Sequence, residues 1–120
     1  MDNETFGSLV RRTRLEHRKS NKDFSLRKFA EKVGLSPTYL SKAETDEFTP
    51  PRAETVIKIA EELGIDKYIL LEKAGRIDPS LKEILLRKQG ALKDLLQLIG
   101  SFDAQQIQEI FFYAQGRYRQ

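Results

Sequence analysis

Cysteine and tryptophan are absent from the 120 residues, and histidine and methionine occur once each. The missing cysteine excludes disulfides, thiol nucleophiles and cysteine-ligated zinc, and it fits a reducing compartment. The single histidine, His17, stands among arginines; it cannot build a multi-histidine metal site and reads as a surface side chain on a basic helix. No apolar run approaches the ~20 residues that a membrane-crossing helix needs, and the polar start Met1–Glu4 has nothing of a secretory signal, so no membrane partner is expected. Glycines at positions 7, 34, 64, 75, 90, 100 and 116 are scattered and compose no phosphate-cradling loop. Glu31, Glu61, Glu62 and Glu83 fall in helical patterns as solvated charges, and no nucleophile with a nearby base stands out. The reading is therefore of a protein without catalytic residues, metal or cofactor.

What is present is charge, unevenly placed, and apolar residues at helical spacing. The net charge is only +3, yet residues 11–42 hold ten Lys or Arg against three Asp or Glu, whereas residues 43–72 hold three against eight. A block of one sign attracts a polyanion and gives it salt-sensitive affinity through counterion release. A first helix spans about Glu4 to Lys19, burying Phe6, Val10 and Leu9. Ser25 caps a second helix that buries Leu26, Phe29, Ala30 and Val33, and Gly34 ends it in the left-handed conformation. Ser36 caps a third, with Pro37 in its first turn; Leu40 and Ala43 face inward while Thr38, Tyr39, Ser41 and Lys42 face out. Beyond the loop 45–51, in which Phe48 plugs the core, a fourth helix repeats Ala53, Val56, Ile57, Ala60 and Leu63 up to Gly64. A fifth runs from the cap Asp66 to Ala74, with Tyr68, Leu70 and Leu71 as core residues.

Two short helices joined by a turn, in register with Val10 and Arg14 before them and Pro50-Pro51, Thr55, Ile57, Ala60, Leu63 and Gly64 after, resemble the Xre family of bacterial and phage repressors from Phe6 to about Leu71. The resemblance implies an all-α chain: a five-helix lambda-repressor-like helix-turn-helix domain over 1–75, followed by a C-terminal helical extension over 76–120. It implies that Arg14 turns inward to pair with Glu44. Leu26 stands where many members carry a phosphate-bonding glutamine, so that contact is not carried over, and the turn from Arg18 to Phe24 is longer than in the family.

The expected partner is double-stranded DNA. Ser25 and the N–H groups of its helix start approach phosphate, and Arg27 either adds charge there or is solvated. Arg18 and Lys19 contact phosphate or are solvated. Ser36, Pro37 and Thr38 lead the recognition helix into the groove, with Ser41 and Lys42 one turn on; Lys42 suits guanine O6 and N7, and the Thr38 methyl or the Pro37 ring suits a thymine methyl. Tyr39 either bonds a phosphate or packs flat on the domain. By resemblance, Arg52 reaches the backbone or a narrowed minor groove. Most aromatics lie outside the basic block, which disfavours single-stranded RNA.

After Gly75-Arg76-Ile77-Asp78-Pro79, a boundary rich in turn residues, helical patterns cover Ser80 to Lys88, Ala91 to Ile99 and Asp103 to about Tyr118. Their apolar stripe either completes the monomer core or forms a homodimer interface with Leu96, Ile107, Ile110, Phe111 and Phe112 near its centre. The leading expectation is a cytoplasmic, nucleoid-associated homodimeric repressor binding an inverted-repeat operator. The alternative is an antitoxin or adaptor whose C-terminal helices bind a partner protein.

Overall fold

Side-chain caps and glycine stops divide the chain into short helices much as the spacing predicts. The computed structural model describes residues 3–119; Met1, Asp2 and Gln120, which fall in the expected domain ranges, lie outside it. Among the described residues the fold is all-helical: α1 (Phe6–Arg18), a 3₁₀ turn (Lys22–Phe24), α2 (Leu26–Val33), α3 (Pro37–Glu44), α4 (Ala53–Leu63), α5 (Lys67–Ala74), α6 (Pro79–Arg87), α7 (Gln89–Ile99) and α8 (Ala104–Arg117). The chain separates into two compact units, divided between Lys82 and Glu83.

In the first unit, Val10, Phe29, Leu40, Val56, Ile59, Leu70 and Leu71 are fully buried and come from each of α1 to α5. Each such side chain contributes about 1.5–3 kcal/mol on leaving water. Several residues depart from the sequence reading, among them Leu26, which is only half-buried. Ile59 is the buried partner in α4, with Ile57 only half-buried, because the helix presents the i, i+3, i+4, i+7 set Val56, Ile59, Ala60 and Leu63. Tyr68 is 44% exposed, since Leu70, Leu71 and Ala74 fill the inner face of α5. Phe48 does not plug the core; it is 47% exposed and tilts against Tyr39. His17 is not a plain surface residue either. It is half-buried, stacks on Phe24 at 4.7 Å, and donates from Nε2 to the carbonyl of Leu63 at 3.0 Å, closing the end of α4 onto α1.

The long turn after α1 acquires a reason from these contacts. Its 3₁₀ segment, capped by Asn21, delivers Phe24 into the core between His17 and Phe29, and exposes the Phe24 carbonyl to Arg14. Arg14 is buried in α1. It donates from Nε and Nη2 to Glu44 at 2.7 and 2.8 Å, and from Nη1 to the Phe24 carbonyl at 3.1 Å. The pairing implied by the family resemblance is thus present. A second brace lies at the start of α1: a Cβ on Gly7 would meet the Ala43 carbonyl at 2.2 Å, so only glycine allows α1 to approach α3 this closely. Asp46, at φ 62°, accepts from Gly7 N–H at 3.3 Å and from the Thr5 hydroxyl at 2.7 Å, which compensates its left-handed backbone.

The segment after Gly75 stays attached to the first unit. Arg76 donates to the Pro51 carbonyl from Nε at 3.0 Å and to the Pro50 carbonyl from Nη2 at 2.7 Å. Asp78 is buried, accepts from Ser80 N–H and Oγ at 3.0 Å each, and pairs with Lys67 at 3.0 Å. These contacts explain why the compact unit extends to Lys82, past the residue 75 expected from turn chemistry. In the second unit, Asp103 and Gln106 form a reciprocal capping box at the start of α8. Neither α7 nor α8 contains a buried residue: Leu96, Ile107, Phe111 and Phe112 are exposed, and Ile110 is half-buried.

Two outcomes test this framework. Arg14→Ala leaves the Glu44 carboxylate buried without its partner and should lower unfolding free energy by about 3–5 kcal/mol in urea titration. Asp78 is held down to about 2 from its ordinary 3.8, chiefly by the Ser80 N–H and then by Lys67 and the Ser80 hydroxyl. Since its folded pKa lies below the unfolded one, the stabilisation is present above the unfolded pKa and fades as pH falls through the folded one. Asp78→Asn should therefore melt below the wild type at neutral pH, and the gap should close between about pH 4 and 2.

Candidate nucleic-acid interface

The hydroxyl of Ser25 accepts from Lys28 N–H at 3.3 Å and starts α2, which Gly34 stops at φ 79°. Ser36 Oγ then accepts from Tyr39 N–H at 3.0 Å, with Pro37 in the first turn of α3, where its missing N–H has no bond to lose. Leu40, Ala43 and Glu44 occupy the buried side of α3. Helical periodicity consequently turns the other side out: Ser36, Thr38 and Ser41 are exposed, and Pro37, Tyr39 and Lys42 are half-buried. The sequence-derived reading residues thus share the outward part of one short helix and its cap.

Two of them are engaged in ways the sequence left open or did not indicate. Tyr39 donates its hydroxyl proton to the Thr49 carbonyl at 2.5 Å, and its ring lies tilted at 48° beside Phe48 with the centroids 5.8 Å apart. Lys42 pairs with Glu47 at 3.2 Å, and the Thr45 hydroxyl donates to the same carboxylate at 2.6 Å. The Thr45 hydroxyl and then Lys42 hold the Glu47 carboxyl below the usual range. The ammonium is therefore parked at the end of α3, where Glu47 neutralises part of its charge, and it gains full strength toward an external acceptor by leaving that carboxylate. An exposed pair of this kind contributes little in water, so that departure is cheap.

The basic block is thinned by similar pairings. Arg12 is bound to Glu4, Lys19 to Glu16 at 3.2 Å, Lys28 to Asp23 at 3.7 Å and Lys32 to Glu62 at 3.1 Å, and Arg14 is internal. The side chains of Arg18, Arg27 and Arg52 are exposed and make no hydrogen bond or ion pair within the described residues. Arg52 stands at the start of α4, directly after the loop whose carbonyls at Thr49, Pro50 and Pro51 all accept hydrogen bonds from side chains: from Tyr39 on one flank and Arg76 on the other. Arg76 was not among the residues the sequence pointed to. Its link to residues 25 and 26 positions earlier depends on the folded path of the loop, and no local pattern announces it.

Among the described residues no group of histidines, cysteines and carboxylates could hold a metal ion, and no helix is long and apolar enough to cross a membrane. No curated protein matches the chain. Among solved structures, the complex of the SinR protein with the SinI protein aligns at 26% identity and a TM-score of 0.47, over 97% of this chain and 100% of that one. The helix-turn-helix domain family matches residues 13–76, more than half of the chain, and this span encloses α2, the Gly34 turn and α3. The chain therefore belongs to the helix-turn-helix domain family.

Proposed function

We propose that this chain is a sequence-specific double-stranded DNA-binding regulator of transcription, of the Xre type, acting in the cytoplasm as a homodimeric repressor on an inverted-repeat operator. The observation that carries the reading is the outward face of α3, where Ser36, Thr38 and Ser41 stand exposed beside Lys42 while Leu40 and Glu44 anchor the opposite side. Short hydroxyl side chains and one long cation match the donors, acceptors and methyl groups along a major-groove edge. In this reading Thr38, Ser41 and Lys42 meet base edges, and Pro37 offers its ring to a thymine methyl. Ser25 and Ser36 bring helix starts to phosphate, while Arg18, Lys19, Arg27 and Arg52 supply charge along the backbone. Tyr39 serves by holding the loop that leads to Arg52, its own proton being committed to Thr49.

The dimer rests on α7 and α8. Leu95, Leu96, Leu98, Ile107, Phe111 and Phe112 are each at least 39% exposed, more apolar surface than a short helical unit keeps in water without a partner. A second copy covers it and at the same time supplies the second reading head that half-sites ~34 Å apart require. The same exposed face is what an antitoxin or adaptor would offer to a different protein. Sedimentation at micromolar concentration separates the two: a homodimer is expected, and a monomer would favour a heterologous partner.

Selection of bound sequences from random duplex DNA tests the function itself. Enrichment of an inverted repeat is expected; failure to enrich any sequence would refute the proposal. On the selected duplex, Lys42→Ala should lose about 1–3 kcal/mol of discrimination at particular base pairs, whereas Arg18→Ala should weaken all duplexes alike and flatten the salt dependence.

A further inference from the structure

We infer that Arg76 is a positioning residue for DNA binding, one that acts through Arg52 by locking the backbone of the α3–α4 loop; the inference rests on the DNA-binding reading above. The loop runs from the end of α3 to the first residues of α4, and three successive carbonyls along it are held. Thr49 accepts from Tyr39, and Pro50 and Pro51 accept from Arg76 at 2.7 and 3.0 Å. Neither proline can donate a backbone hydrogen bond, so this stretch is held through its carbonyls, which accept from side chains, and through the burial of Pro51. Arg76 does so with two N–H groups of one planar guanidinium, which sets the orientation of two successive peptide groups and not only their distance.

Arg52 follows at once. Its side chain forms no hydrogen bond or ion pair among the described residues, and its helix start has no side-chain cap, so the point from which it reaches out is set by the backbone that precedes it. Tyr39 ties that backbone to the reading helix and Arg76 ties it to the segment after α5. That segment is itself fastened, since Arg76 N–H bonds the Leu71 carbonyl at 3.0 Å and Asp78 is paired with Lys67. The loop is thus clamped from both flanks, and the spacing between α3 and the Arg52 main chain is fixed before DNA arrives. A cation carried on a backbone ordered in this way reaches a phosphate or a narrow minor groove without the entropy of ordering a mobile loop.

A double-mutant cycle on Arg52 and Arg76 tests this, using the duplex recovered by selection with the wild-type chain and the same duplex with its central pairs changed to G·C. Arg52→Ala should weaken binding roughly tenfold, the loss of a charge-assisted contact. Arg76→Gln, which keeps a single donor nitrogen, should lose several-fold, and the double variant should bind no more weakly than Arg52→Ala alone. Arg76→Gln should also narrow the preference for the original centre and leave the preference at base pairs read by Lys42 as it was. A merely structural role would lower affinity for both duplexes and at all positions equally, and would add to Arg52→Ala; additivity overturns the inference while leaving DNA binding intact. No effect of Arg52→Ala overturns it as well, because Arg76 would then have nothing to position. If the wild-type chain selects no duplex at all, the DNA-binding reading fails and the inference with it. Thermal melting of each variant confirms that the comparison is between folded chains.

Discussion

The bidentate pair between Arg14 and Glu44 is the constraint on which the reading helix depends. Both side chains are buried, and every polar arm of the guanidinium that reaches a partner is used, two on Glu44 and one on the Phe24 carbonyl. Desolvation offsets much of the attraction in such a pair, and an apolar pair of the same volume would hold α1 and α3 together as well. What an apolar pair would lack is direction. A planar guanidinium facing a planar carboxylate fixes the rotation of α3 about its own axis, and with it the set of side chains that α3 turns outward. Thr38, Ser41 and Lys42 face out because Glu44 and Leu40 face in.

The same helix end is fixed a second time, from the backbone. Gly7 lets α1 come so near that the Ala43 carbonyl would collide with any side chain, and Asp46 reaches back to cap the start of α1. Both contacts act on the last turn of α3 and the residues just beyond it. The first turn is set instead by Ser36 and Pro37, and the loop beyond α3 by Tyr39 and Arg76. A short helix of eight residues has little stability of its own, so its precision must come from such tertiary attachments at both ends.

Much of this was legible in the sequence, where the signal was local. Ser25, Gly34, Ser36, Asp66, Gly75 and Asp103 are caps or stops that announce themselves through backbone chemistry within one turn, and the inner faces of α2 and α3 follow from spacing. What escaped was the part decided by distant contacts. Phe24 entered the core because a 3₁₀ turn redirected the chain, and His17 became a clasp on Leu63 because α4 ends beside it. Hydrophobicity points Tyr68 to the core, yet it lies across α5 from the buried Leu70 and at the rim of the inner face, and its ring stays in solvent. In the candidate site the outward residues were found by periodicity. The parking of Lys42 on Glu47 and the bracing of the loop by Arg76 were not, since ion-pair choice and carbonyl capture depend on geometry that no spacing rule encodes.

The helices after Lys82 complete the picture by what they leave uncovered. The start of α8 is well capped, yet neither α7 nor α8 contains a buried residue, and their apolar side chains stay open to solvent. The first unit, by contrast, is finished as a core and presents its polar face on α3. The most direct measurement of whether that face is the one used is an amide NMR titration of the full chain with a selected duplex and with an unrelated one. The account predicts that the largest changes fall on Thr38, Ser41 and Lys42 and appear only with the selected duplex. Changes confined to residues 83–119, with the amides of α3 undisturbed, would contradict it.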